Sequence, residues 1–259
     1  MGALVLAAGG GFAPPGADSF DLPPLFGGVT KPIVLVVLSA LIVAAYFLVA
    51  TRNLKLVPGR SQFVAESIYE FSRNKIAREQ IGARDYRPFV PLIFALFTFI
   101  LVNNIFGVIP FIQFPTMARI GFPVALFLVT YVVIHYVGFK RHGFVGYLKH
   151  VCFPPGVPKP IYLLLTPIEF FQKFVAQPIA LAVRVFAAMF AGHLILLVFT
   201  AGAEFLLFEA SALVKPLSAV SMAFAIALTF VEALIQVLQA YIFALLAANF
   251  IGFALAEEH

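Results

Sequence analysis

Residues 32–51 contain no Asp, Glu, Lys or Arg, and the same holds for residues 88–118, 120–139 and 233–256. A bilayer core about 30 Å thick requires about 20 consecutive apolar residues per spanning helix, so each run is long enough to cross. A further stretch, residues 174–231, is almost as poor in charge. With 62% of its 259 residues hydrophobic and only 11% charged, such a chain has more apolar surface than a water-soluble core can hide. The expected fold class is an all-α integral membrane protein: about five transmembrane helices, one surface amphipathic helix and a long tilted C-terminal helical hairpin.

The runs divide a single membrane domain into segments. Residues 1–30 carry Pro14, Pro15, Pro23 and Pro24 with Asp18 and Asp21 and read as an irregular external N-terminal segment. Met1–Gly11 lacks the basic start of a secretory signal and is not read as one. Residues 32–51 form the first span. Residues 61–82, in which Phe63, Val64, Ile68 and Phe71 fall at helical spacing, predict a helix lying on the membrane surface. Residues 88–140 form a helical hairpin with its turn near Gln113–Pro115. Residues 141–160, basic and Pro-rich, read as a cytoplasmic loop. Residues 167–256 form the long hairpin, its two helices joined by a segment containing Glu204, Glu209, Lys215 and Pro216. A helix of roughly 35 residues is about 50 Å long and must tilt, bend or protrude.

Charge sets the orientation. Residues 52–87 hold Arg52, Lys55, Arg60, Arg73, Lys75, Arg78, Arg84 and Arg87, and residues 140–159 hold Lys140, Arg141, Lys149 and Lys159, twelve of the 17 Lys and Arg. Basic residues favour the cytoplasmic side, so the N-terminus is expected outside and the C-terminus inside. The net charge of +5 therefore reports topology, and no nucleic-acid partner is expected. Cys152 is the one cysteine; no disulfide, metal site or cofactor is implied. No GxxxxGK[ST] phosphate loop occurs, so the chain is not expected to be an enzyme by itself.

Ionisable side chains deep in a bilayer are costly and tend to be functional, which singles out Arg184, His193, Glu232 and the amide Gln239. An arginine cannot accept a proton, yet it attracts a carboxylate, so Arg184 can separate two aqueous half-channels. It can equally be a structural cation paired with an embedded acid such as Glu232. Histidine changes charge near neutral pH, so His193 and Glu232 suit a proton relay, or a simple hydrogen-bonded tether between two helices. Gln236 and Gln239 read as amides that knit helices together, with Gln239 positioned toward Arg184. Glu169 and Lys173, four apart, read as an ordinary ion pair, with a role for Glu169 in an inner half-channel as the alternative. Asn103 and Asn104 are explained by packing and capping.

An antiparallel hairpin brings residues to one level when their numbers have a constant total, which places Arg184 level with Gln239 and His193 level with Glu232. Nine residues separate the two levels by about 14 Å and turn the side chain by about 180°. Arg184 and His193 thus take opposite faces of their helix.

The stretch Pro178-Ile-Ala-Leu-Ala-Val-Arg184-Val-Phe-Ala-Ala-Met-Phe-Ala-Gly192-His193 resembles the arginine helix of the ATP synthase subunit a family, and Leu238-Gln239-Ala-Tyr-Ile-Phe243 resembles its final helix. The resemblance extends from about Phe12 to His259. It implies a stationary subunit with two offset half-channels, which carry protons to and from the carboxylates of a rotor ring of c subunits. It also implies peripheral-stalk b subunits as partners, with Arg184 facing the ring and His193 and Glu232 as a coupled pair. Some bacterial members have that pair's residue types exchanged. Ala188 stands where the family usually has Asn, so any polar contact made by that Asn is absent or replaced. The N-terminal segment is not Arg- and Ser-rich, which favours a bacterial inner membrane over a mitochondrial one. The rival readings are a secondary transporter, for which no internal repeat is evident, and a structural membrane scaffold.

Overall fold

The structure, a computed structural model, describes residues 12, 14–20, 23, 27–110, 112–153 and 158–256. Among them there are long helices and no sheet. Five stretches are long and apolar enough to cross a membrane: Lys31–Thr51, Arg87–Ile105, Gly121–Cys152, Tyr162–Phe208 and Pro216–Leu255.

Helix α1 (Lys31–Thr51) opens with Pro32, at a position where the missing N–H is not needed. Most of its side chains face outward; Leu35 and Ser39 face the bundle. Helix α2 (Arg60–Glu70) continues through a π-helical stretch, Phe71–Arg78, into α3 (Glu79–Ile81). Ile76 and Ala77 of this rod are fully buried against the bundle, whereas Phe63 and Val64 are exposed. Helix α4 (Val90–Ile105) buries Ile93, Leu96, Phe97, Ile100, Asn103 and Asn104.

Helix α5 (Gly121–Cys152) differs from the expected loop at 141–160, because it stays helical as far as Cys152. The break is a reversal at Gly143, whose φ of 71° and ψ of 170° suit glycine. The chain folds back on itself, so that Tyr147 packs where a side chain on Gly138 would lie and its hydroxyl meets His135 Nδ1 at 3.0 Å. Apolar and aromatic packing thus outweighs the basic character that suggested a loop. Pro154 and Pro155 lie outside the described residues.

Helix α6 (Tyr162–Phe171) passes through a π-helical stretch, Gln172–Ala176, into α7 (Gln177–Phe208), and α8 (Pro216–Leu255) returns antiparallel to it. The connection is shorter than expected: Glu204 lies inside α7, since the Ala and Leu residues around it favour helix, and the turn begins at Glu209. The register is visible in the pairs across the hairpin. Gly192 faces Glu232 and Gly202 faces Ser221, Ser221 donates to the Phe199 carbonyl, and Phe199 stacks on Phe224.

Helix α8 is the central element, packing against α3, α4, α5 and α7. It buries Ala240, Ala244, Ala247, Ala248, Ile251 and Ala254 almost completely. Without a hydrophobic force between helices in lipid, small residues that allow close backbone approach drive this packing. Gly252 is the limiting case: the backbone carbonyl of Gln80 occupies the space a Cβ would take.

Candidate functional site

On α7, Leu181, Val185, Met189 and His193 recur every four residues and are all buried. Ala180, Arg184, Ala187, Ala191 and Ile195 are exposed on the other side. One helix therefore presents His193 to the interior and Arg184 to the outside, about 14 Å apart along its axis.

His193 and Glu232 are brought together. His193 Nδ1 lies 3.5 Å from Glu232 Oε1, with both side chains 4% exposed. Gln236 Nε2, one turn along α8, donates to the same Oε1 at 3.2 Å. Asn104 of α4 donates from Nδ2 to the Gln236 carbonyl at 3.1 Å. The Gln236 amide sits against Gly107, where a Cβ would lie 2.8 Å from Nε2, so glycine there makes room for it. A polar chain, Asn104–Gln236–Glu232–His193, thus links α4, α8 and α7 in the interior. Three of its buried oxygens, Asn104 Oδ1, Gln236 Oε1 and Glu232 Oε2, have no hydrogen-bond partner in the protein. Buried oxygens of this kind are ordinarily satisfied by water.

The described part of the N-terminal segment closes one flank of the pair. A short 3₁₀ turn, Ala17–Phe20, buries Phe20 edge-on to His193, 5.8 Å between ring centres, and tilted on Phe190 at 4.7 Å. Arg119 holds the turn in place by donating twice to the Phe20 carbonyl, at 3.1 and 3.3 Å. Beside His193 a cleft of about 240 Å³ opens, lined by Gly107, Gln113, Leu197, Thr200, Glu204 and Thr229 among others.

The other expected residues stand apart. Arg184 makes no ion pair with Glu232, whose Oε1 is engaged by His193 and Gln236. Gln239 is half-buried, its Oε1 has no hydrogen-bond partner, and it forms no bond to Arg184 among the described residues. Glu169 lies on α6, fifteen residues before Arg184. It does not form the expected pair with Lys173, whose ammonium lies 4.1 Å over the Phe253 ring. The π-helical winding from Gln172 shifts the register on which an i,i+4 pair depends.

Phe20, Thr200 and Glu204 border the pair or its cleft and are not among the residues that the sequence singles out. Asn104 reads from the sequence as a packing residue, and its bond to the Gln236 carbonyl is such a contact between helices. Thr200 and Glu204 carried a clearer signal, following His193 by seven and eleven residues on one helical stripe.

These features define a multi-pass helical membrane protein whose longest hairpin carries a buried histidine–carboxylate pair inside and an arginine outside. Residues 33–252 match the profile of the ATP synthase A chain family. The chain is 45% identical to "ATP synthase subunit a" of a Nocardioides species, over 98% of this chain and 96% of that one. It is 43% identical to the protein of the same name from Pseudarthrobacter chlorophenolicus, over the full length of both. The corresponding protein of Streptomyces lividans is 38% identical, over 97% of this chain and 90% of its own. The chain belongs to the ATP synthase A chain family.

Proposed function

We propose that this chain is the stationary subunit through which protons reach and leave a rotor ring of c subunits, as part of a rotary ATP synthase held by peripheral-stalk b subunits. The observation that carries the reading is the two-faced α7. Arg184 is exposed and has no ion-pair partner among the described residues, on a face whose other residues include Ala180, Ala187 and Ala191. Small side chains there let another helix approach closely and bring a carboxylate to the unpaired guanidinium. A ring carboxylate passing Arg184 is held ionised by it, cannot hand it a proton, and so cannot carry a proton straight from one half-channel to the other.

His193 and Glu232, on the hidden face and about 14 Å along, exchange protons between the cleft beside them and the ring. Gln236 orients Glu232, and Gln239 steadies the guanidinium once the ring is docked. Glu169 serves the opposite half-channel. Each proton crossing the full potential delivers about 2.3 kcal/mol per 100 mV, so a leak past Arg184 would dissipate the drive for synthesis. The chemistry of ATP belongs to other subunits, and this chain is translocating rather than catalytic. The bacterial relatives support a bacterial inner membrane, and the basic segments 52–87 and 140–159 support an external N-terminus and a cytoplasmic C-terminus.

The test is ATP-driven proton pumping, together with passive leak through the stripped membrane sector, for wild type and Arg184→Gln in complete vesicles. Loss of pumping with an altered leak is expected. Unchanged pumping would return Arg184 to a structural role and reopen the scaffold and transporter readings.

A further inference from the structure

We propose that Glu204 is a proton-collecting carboxylate at the mouth of the path to His193, a role that rests on the channel reading of the hairpin. On α7, Thr200 and Glu204 follow His193 by seven and eleven residues, positions that each lie within about 20° of His193 around the helix. The three side chains line a single cleft of about 240 Å³. Thr200 and Glu204 also line a second cleft of about 520 Å³, which lies between α7 and α8 toward their connecting turn and includes Ser218 and Met222. The two openings thus share a wall that runs from the turn to the buried His193–Glu232 pair.

The route is directional because two other sides of His193 are closed. Phe20 covers one flank, and Glu232 with Gln236 fills the α8 side. The distance from Glu204 to His193 along the helix is about 16 Å, too far for direct transfer, so a proton must cross on water. At about 30 Å³ per water, the inner cleft has room for several. Thr200 and Thr229 supply hydroxyls along it, and Gln113, in a left-handed turn with φ 42°, forms another part of its wall.

Glu204 is exposed and has no hydrogen bond or ion pair with any described residue. Its neighbours on the helix, Ala203 and Phe205, are apolar. A carboxylate inside an apolar spanning helix is unfavourable unless it faces an aqueous cavity, and Glu204 faces both clefts. A fixed negative charge at a narrow mouth concentrates hydrated protons and raises their capture rate. His193 is the other titratable group that lines the inner cleft, and Glu204 is the titratable group that lines the outer one.

The experiment uses the complete ATP synthase in vesicles, with Cys152→Ser as the background. Proton-driven ATP synthesis in Glu204→Gln is expected to fall roughly tenfold, in line with the loss of electrostatic steering, and Glu204→Asp is expected to recover most of it. Glu204→Cys provides an assembled complex that is altered chemically afterwards. Iodoacetate, which installs a carboxylate on the sulfur, should restore synthesis, and iodoacetamide, which installs a neutral amide of similar size, should not. Wild-type rates in Glu204→Gln, or equal rates after the two reagents, would overturn the proposal and make Glu204 a solvated surface carboxylate. Arg184→Gln, assayed in parallel, separates the two levels. If it abolishes synthesis while the Glu204 variants are normal, only the collecting role fails; if it too is normal, the channel reading falls.

Discussion

At the residue scale, the structure keeps Arg184 and Glu232 apart. A buried cation needs a partner, and Glu232 was available as one, yet Glu232 is held by His193 and Gln236 while Arg184 points outward. Because His193 and Glu232 meet across the hairpin with little else between them, exchanging their types should preserve the contact. We expect the double variant His193→Glu, Glu232→His to pump protons several-fold faster than either single variant. Pumping in the double variant no better than in the singles would show that each residue acts alone. Gln236→Leu removes the donor to Glu232 Oε1 and places an apolar group beside a buried carboxylate. It should lower pumping while leaving assembly intact, as measured by subunit content of the purified complex.

At the element scale, two glycines decide how helices meet. Gly143 takes a conformation open essentially to glycine alone, and the reversal it permits lays Tyr147 over Gly138. Gly143→Ala should cost about 1–3 kcal/mol, seen as a lower thermal aggregation temperature of the detergent-solubilised complex. Gly121→Ala, where a Cβ meets nothing within 4 Å, should leave that temperature unchanged. Gly252 lets the α3 backbone touch α8, so Gly252→Val should part the two helices and reduce incorporation of the subunit. The buried contact of Asn103 Nδ2 with Ser39 Oγ, at 2.6 Å, ties α1 to α4, and Thr116 Oγ1, donating to Asn103 Oδ1 at 2.7 Å, ties the turn Thr116–Ala118 to α4. In lipid such bonds contribute about 0.6–2 kcal/mol each.

At the scale of the molecule, α8 organises the bundle and leaves the α7–α8 hairpin with one interior face and one outer face. Helices of 32 and 40 residues are about 48 and 60 Å long, more than a bilayer core of about 30 Å accommodates upright. They must lean or protrude, and a lean places the Arg184 face along a neighbouring surface. The orientation has a direct test. In a Cys152→Ser background, Ser61→Cys should react with an impermeant thiol reagent added from the cytoplasmic side, and Ser211→Cys from the opposite side. Labelling of both from one side would refute the proposed topology.

The sequence by itself determined the class of fold and the family, because charge-free runs and the motif around Arg184 are local, one-dimensional signals. It also indicated that His193 and Glu232 share a level, because an antiparallel register is simple arithmetic. It did not show that residues 141–152 fold back as helix, since that depends on the ring of Tyr147 finding Gly138 and His135. Nor did it reveal that Phe20, 173 positions before His193 in the chain, closes the flank of the pair. The cleft joining His193 to Glu204 became visible only once the turn after α4, with Gly107 and Gln113, and Thr229 of α8 had walled it in. Cavities and long-range contacts are properties of separate elements meeting, and only the tertiary structure decides where they leave space.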